Sequence, residues 1–146
     1  MVNAVIDGIK VCVPKGTSIM EAAASIDIKI PKLCFLKDIN EIGACRVCMV
    51  EIEGIDRVVS SCNHELEEGM VVHTNTPRVL SIRKTNIQLI LSQHNSNCPV
   101  CLRNGNCTLQ DIAGEMGILS VAFKKETEEF NWDHCHPIVR DASKCI

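Results

Sequence analysis

An α+β fold in two parts is predicted by three features of this sequence. Strand-like residues flank a two-residue turn near the N-terminus, a capped helix follows them, and beyond residue 76 the patterning changes from strand to helix. The expected first domain is 1–75 and the second is 76–146. The 146 residues give room for one ordinary domain or two small ones. Hydrophobic residues make up 46%, enough for a core, but aromatics are only 3% and tyrosine is absent. So few large rings bury little area per residue. The ten cysteines are the obvious additional source of cohesion.

Each element has a local cause. Residues 2–6 and 9–13 flank Asp7-Gly8, a two-residue hairpin signal. Ile9, Val11 and Val13 fall on one face of the second strand, Lys10 and Cys12 on the other. Pro14-Lys15-Gly16 ends the hairpin. Ser18, with Glu21 three residues later, makes a capping box for a helix whose apolar face is Ile19, Ala22, Ala23 and Ile26. A cysteine-containing loop then runs from Pro31 to about Cys48. Val50 and Ile52 alternate with Glu51 and Glu53 before a turn at Gly54-Ile55-Asp56. Arg57–Ser60 returns as a strand, and residues 70–73 read as another. The order β–β–α–loop–β–β–β suits a small mixed sheet crossed by one helix.

Past that point, Thr76 can cap a helix and Pro77 suits its first position. Val79, Ile82, Asn86/Ile87 and Ile90 recur at helical spacing, with position 86 polar, and the helix should reach about Ser92. A polar loop leads into Cys98. A third helix is expected after Cys107, with Thr108 and Asp111 as its capping box and Leu109, Ile112, Ala113 and Met116 along one face.

Three function classes are disfavoured. The net charge of −3, with no basic stripe, argues against nucleic acid as a partner. No run of 18 apolar residues exists, so no membrane span is expected. The start lacks the basic and apolar regions of a signal peptide, which points to a cytoplasmic chain with reduced thiols. Cysteine pairs there read first as metal sites rather than disulfides.

Cys34, Cys45, Cys48 and Cys62 follow the order C-x10-C-x2-C-x13-C. Four thiolates converging on two irons can hold a [2Fe–2S] cluster, and a loop can also aim backbone N–H groups at its sulfurs. Gly43 and Ala44 are small enough to let the backbone come close. A structural zinc site is the alternative, although zinc ribbons usually carry two C-x2-C knuckles and this site has one. Further on, His94, Cys98, Cys101 and Cys107 read H-x3-C-x2-C-x5-C. Three thiolates and an imidazole can hold a [4Fe–4S] cluster, or again zinc. Histidine is a neutral ligand, which should raise the potential of such a cluster. Cys107 also precedes a helix whose positive N-terminal end would favour an anionic group.

The run Gly43-Ala44-Cys45-Arg46-Val47-Cys48-Met49-Val50-Glu51 resembles the cluster loop and following strand of [2Fe–2S] domains at the front of [FeFe]-hydrogenases and of the large iron–sulfur subunit of respiratory complex I. The ten-residue first gap departs from the plant ferredoxin spacing and fits that group. The His94 pattern is similar to the histidine-ligated [4Fe–4S] module that follows in the same proteins. The resemblance covers nearly the whole chain. It implies a β-grasp ferredoxin-like domain over 1–75 with a [2Fe–2S] cluster on Cys34, Cys45, Cys48 and Cys62. It also implies a small helical module over 76–146 with a [4Fe–4S] cluster on His94, Cys98, Cys101 and Cys107.

Single electrons would pass between these centres inside a multisubunit redox enzyme with flavin- and NAD(P)-binding and catalytic subunits. The settings implied are an NAD(P)-linked or electron-bifurcating [FeFe]-hydrogenase, a formate dehydrogenase or complex I. No G-x-G-x-x-G fingerprint is present, and no catalytic site is expected within this chain.

The other candidates are weaker. Cys12 reads as a structural thiol, His64 and His73 as surface residues, and Glu65, Glu67 and Glu68 as a solvated face. His134-Cys135-His136 is expected to be a plain loop, because adjacent side chains diverge. The ending Ser143-Lys144-Cys145-Ile146 resembles the start of a ferredoxin-type cysteine run. It makes Cys145 a possible ligand of a further cluster and implies the front of a longer or split polypeptide.

Overall fold

The computed structural model describes residues 1–123, together with 135, 137 and 142–144. The chain divides into two compact units, 1–86 and 87–146.

The first unit is built on a five-stranded mixed sheet in the order β2-β1-β5-β3-β4. Strands β1 (Val2–Ile6) and β2 (Ile9–Val13) form the N-terminal hairpin, with Ile6 opposite Ile9. Asp7 and Gly8 both have positive φ, as a tight two-residue turn requires. The helix α1 (Ile19–Ala24) comes next, then β3 (Met49–Ile52), β4 (Val59–Ser60) and β5 (Val71–His73). β5 lies parallel to β1 and antiparallel to β3, so it joins the two hairpins into one sheet. The return strand is shorter than the expected Arg57–Ser60, because only Val59 and Ser60 pair with β3. Val11 and Val13 are buried, but Ile9 is 48% exposed. The apolar alternation therefore stops short of the turn.

The core gathers Ile6, Ile19, Val50 and Val72, all fully buried, with Ala22 and Ala23 of α1. Each of these isoleucine and valine side chains contributes roughly 1.5–3 kcal/mol by leaving water. The capping box forms as expected. The Glu21 N–H donates to Ser18 Oγ at 3.2 Å, and the Ser18 N–H donates to Glu21 Oε2 at 3.2 Å.

Helix α2 (Pro77–Gln93) begins at the proline, as its φ constraint allows. Thr76 caps it: the Val79 N–H donates to Thr76 Oγ1 at 3.1 Å. The unit boundary lies inside this helix, so Pro77–Asn86 belong to the first unit and Ile87–Gln93 to the second. In the second unit a 3₁₀ turn (Cys98–Val100) precedes α3 (Thr108–Glu115). The expected capping box at Thr108 does not form. Thr108 is already helical and Cys107 occupies the cap, with no side-chain hydrogen bond there. No helix among the described residues is long and apolar enough to cross a membrane.

Two outcomes follow for α1. Replacing Ser18 with Ala should lower stability by about 1 kcal/mol in denaturant unfolding. Glu21 is held below its ordinary value of 4.5, first by the hydrogen bond from Lys37 and then, against burial, by the Ser18 N–H and hydroxyl. Its stabilising contribution is therefore complete above the unfolded value and is lost as pH falls through the lower folded one. The urea midpoint should drop below about pH 4.5, and Glu21→Gln should flatten that drop.

Candidate functional site

Two elements of the first unit meet at the cysteine loop. The β3–β4 ladder pairs Met49 with Ser60. One step further, the Ser61 N–H donates to the Cys48 carbonyl at 3.0 Å, and the Ser61 hydroxyl donates to it at 2.8 Å. This register brings Cys62 beside Cys48, and both are 1% exposed. Ser61 is anchored in turn: its carbonyl accepts the Met20 N–H of α1 at 3.0 Å.

Cys34 and Cys45 enter from the loop and are half-buried. The Cys45 N–H points at the Cys34 sulfur, 3.4 Å away. Asn40 Nδ2 donates to the Cys34 carbonyl at 2.7 Å, closing the loop from the far side.

The loop needs unusual backbone. Gly43 has φ +65°, and a Cβ there would lie 3.0 Å from Asn63 Nδ2 and 3.1 Å from Ser60 Oγ. Arg46, between the two cysteines of the C-x2-C pair, has φ +53° although it carries a side chain. That conformation is costly for a non-glycine residue and persists only where surroundings enforce it. Asn86 of α2 does so, donating from Nδ2 to the Arg46 carbonyl at 2.6 Å. Because a trans peptide points its carbonyl and its N–H to opposite sides, holding the Arg46 carbonyl turns the Val47 N–H toward the Cys45 thiol.

The electrostatics are those of four thiols crowded together. Burial pushes the Cys62 thiol up to about 12, joined by the Cys48 sulfur and by the charges of Cys48, Cys34 and Cys45. Burial also pushes Cys34 up, against the N–H groups of Cys45 and Ala44. At Cys45 burial acts in the same direction, but the N–H groups of Cys34 and Val47 outweigh it and hold that thiol below its usual range. The arrangement therefore pairs mutually repelling sulfurs with backbone donors aimed at them. Ferric and ferrous irons bridged by sulfide relieve such repulsion, and the residues fit a [2Fe–2S] cluster.

The second constellation lies wholly in the second unit. His94 follows α2, its N–H donating to the Ile90 carbonyl at 3.1 Å. Its Nδ1 is buried and has no hydrogen-bond partner. An unsatisfied buried imidazole nitrogen is costly, and a metal ligated by the ring relieves that cost. A cavity of about 220 Å³ is lined by His94, Cys98 and Cys107, with Leu109, Ala113 and Ile118 among its apolar walls. Cys101 sits at the end of the 3₁₀ turn, its N–H donating to the Cys98 carbonyl at 3.0 Å, and it does not line that cavity. Three of the four expected side chains thus share one space, and their chemistry fits a cluster with one nitrogen ligand. Among the described residues no group of three His, Cys, Asp or Glu side chains is arranged to hold a single metal ion.

Cys12 is exposed rather than packed. His73 pairs with Glu53 at 2.8 Å, and Glu68 accepts the Asn3 N–H at 2.7 Å. Cys135 is exposed, while His134, His136 and Cys145 lie outside the described residues. Sequence reasoning missed Asn63, Arg83 and the role of Asn86. Only the polar residue on the apolar face of α2 hinted at the last.

Comparison with known proteins agrees with this chemistry. Residues 1–77 match the model of the 2Fe-2S iron-sulfur cluster binding domain, and residues 83–121 match that of the NADH-ubiquinone oxidoreductase-G iron-sulfur binding region. The HndD subunit of the NADP-reducing hydrogenase of Solidesulfovibrio fructosivorans is 40% identical over all of this chain and 26% of its own length. The 75 kDa subunit of NADH-ubiquinone oxidoreductase from Reclinomonas americana is 38% identical, again over the whole chain and 21% of its own length. A solved NAD+-reducing [NiFe]-hydrogenase in its H2-reduced state superposes with a TM-score of 0.82 at 28% identity, covering 93% of this chain and 57% of that one. The chain thus spans about a quarter or less of the length of these two curated relatives.

Gly43→Ala should destabilise the first unit by about 1–3 kcal/mol in denaturant unfolding. Gly54→Ala, also at positive φ but with nothing within 4 Å of the added Cβ, should cost less. Equal losses would mean that Asn63 and Ser60 exert no constraint on the loop.

Proposed function

The chain belongs to the family of 2Fe-2S iron-sulfur cluster binding domains, and from that premise we propose that it relays single electrons between two iron–sulfur centres within a larger redox enzyme. It carries both a [2Fe–2S] and a [4Fe–4S] binding region. In this reading Cys34, Cys45, Cys48 and Cys62 hold the first cluster, and His94, Cys98, Cys101 and Cys107 the second. The observation that carries it is the convergence of four mutually interacting thiols at the β3–β4 edge, with backbone N–H groups turned toward them.

When bound, the clusters supply one-electron chemistry. The protein's part is to bury Cys48 and Cys62, to keep the loop backbone fixed and to hold a neutral imidazole in the second site. Domain limits near 1–75 and 76–146 describe the two cluster-binding parts in this reading.

The setting we favour is an NAD(P)-linked or electron-bifurcating [FeFe]-hydrogenase in the cytoplasm. Flavin- and NAD(P)-binding and catalytic subunits would act as electron partners, and Cys145 would lead toward a further cluster. The relative named as a subunit of an NADP-reducing hydrogenase supports it. Complex I is the second reading, supported by the relative named as its 75 kDa subunit, and a formate dehydrogenase is a third setting of the same kind.

Anaerobically purified protein should contain about six irons per chain, with [2Fe–2S] and [4Fe–4S] EPR signals separable by temperature. About two zincs with no iron would favour a structural zinc module instead. His94→Ala should lose or alter only the [4Fe–4S] signal, and Cys48→Ala only the [2Fe–2S] signal. Loss of both signals from either variant, with the fold retained, would overturn the assignment of two separate ligand sets.

A further inference from the structure

Arg83 is the buried charge that nothing above explains. It lies on α2 within the first unit and is 3% exposed. Its Nε and Nη2 both donate to the Met49 carbonyl, at 3.1 Å and 2.6 Å. Among the described residues it takes part in no ion pair. A buried guanidinium without a counter-charge is strongly disfavoured, and a single carbonyl does not neutralise it. Burial pushes this guanidinium below its ordinary value, and the charges of Cys48 and then Asp7 draw it back up. Asp7 is already engaged, accepting the Thr74 N–H at 2.7 Å. The nearest commitment of Arg83 is therefore to the residue that follows Cys48, and the leading charge acting on it is that of Cys48 itself.

We propose that Arg83 is a positioning residue for the [2Fe–2S] cluster, which supplies its missing counter-charge, and that its fixed positive charge raises the cluster's reduction potential. The proposal rests on the assignment of Cys48 as a cluster ligand. Reduction adds one electron, turns one ferric iron ferrous and changes no bond and no proton, so the cluster gains one negative charge. A buried cation nearby favours that reduced form more than the oxidised one, and low local polarisability strengthens the effect. Arg83 acts together with Asn86, three residues along the same helix. One holds the carbonyl after Cys48, the other the carbonyl between Cys45 and Val47. A single helix thus holds the backbone inside the C-x2-C pair and the carbonyl just after it.

The test is a potentiometric titration of the [2Fe–2S] EPR signal in the full, anaerobically loaded chain, with far-UV circular dichroism to confirm the fold. At the wild-type midpoint, Arg83→Gln should shift the oxidised-to-reduced ratio about tenfold toward oxidised, which is about 59 mV for one electron. Arg83→Lys, which keeps the charge, should stay near the wild-type midpoint. A folded, loaded Arg83→Gln with the wild-type midpoint would overturn the proposal while leaving the ligand assignment intact. Absence of a [2Fe–2S] signal from the wild-type protein would instead overturn the ligand assignment beneath it. If Arg83→Gln cannot be loaded, the neutral Arg83→Met is titrated in its place: a lowered midpoint supports the role of charge and a wild-type midpoint overturns it. Loading of Arg83→Lys while both neutral variants fail to load supports the need for a positive charge there, and failure of all three assigns Arg83 to structure alone.

Discussion

Four sulfur atoms that repel one another when ionised are brought together at the edge of a small sheet, and much of the first unit is arranged around holding them there. The cost is visible in the Cys62 thiol, pushed up to about 12 by burial and by its three neighbours. Against it stand backbone N–H groups aimed at Cys34 and Cys45. Those donors exist only because the loop backbone adopts conformations that side chains normally avoid, at Gly43 and Arg46. The strain is local, and its restraints come from elsewhere in the chain.

Those restraints come from three directions. The β3–β4 register sets Cys62 beside Cys48, and the Ser61 carbonyl ties that corner to α1. Asn63 and Ser60 crowd Gly43, so that an added Cβ would force them to give way. From α2, Asn86 and Arg83 grip carbonyls on either side of Val47 and Cys48. The sheet positions the buried pair of thiols, and the helix orients the peptide groups between the others. Burial of Cys48 and Cys62 also removes water, which makes every remaining dipole count for more.

The second unit meets its demand differently. A short polar loop and a 3₁₀ turn carry the thiols, and the organising feature is a buried imidazole nitrogen left unsatisfied beside an apolar cavity. In the proposed ligand set, a neutral nitrogen donor in place of a fourth thiolate would lessen the repulsion among the ligands. The local hydrogen bonds there are mostly short-range, such as Gln110 Nε2 to Asn104 Oδ1 at 3.0 Å.

What the sequence determined by itself was whatever depends on neighbours along the chain. The Asp7-Gly8 turn, the Ser18–Glu21 capping box and the Thr76-Pro77 helix start were all legible, because each is a contact within a few residues. So was the presence of two cluster-binding regions, since the number and spacing of cysteines are local properties. The Thr108–Asp111 box was misjudged because a capping pattern does not say which residue turns the corner, and Cys107 took that position. The face shared by Ile9, Val11 and Val13 did not say where burial along it ends, and Ile9 next to the turn is exposed. Only tertiary structure decided that β5 runs parallel to β1, and that Asn86 and Arg83 reach back 40 and 34 residues to the cysteine loop. A helix face shows a polar residue in the sequence. Which carbonyl satisfies it depends on the three-dimensional path of a distant segment, and no local pattern encodes that.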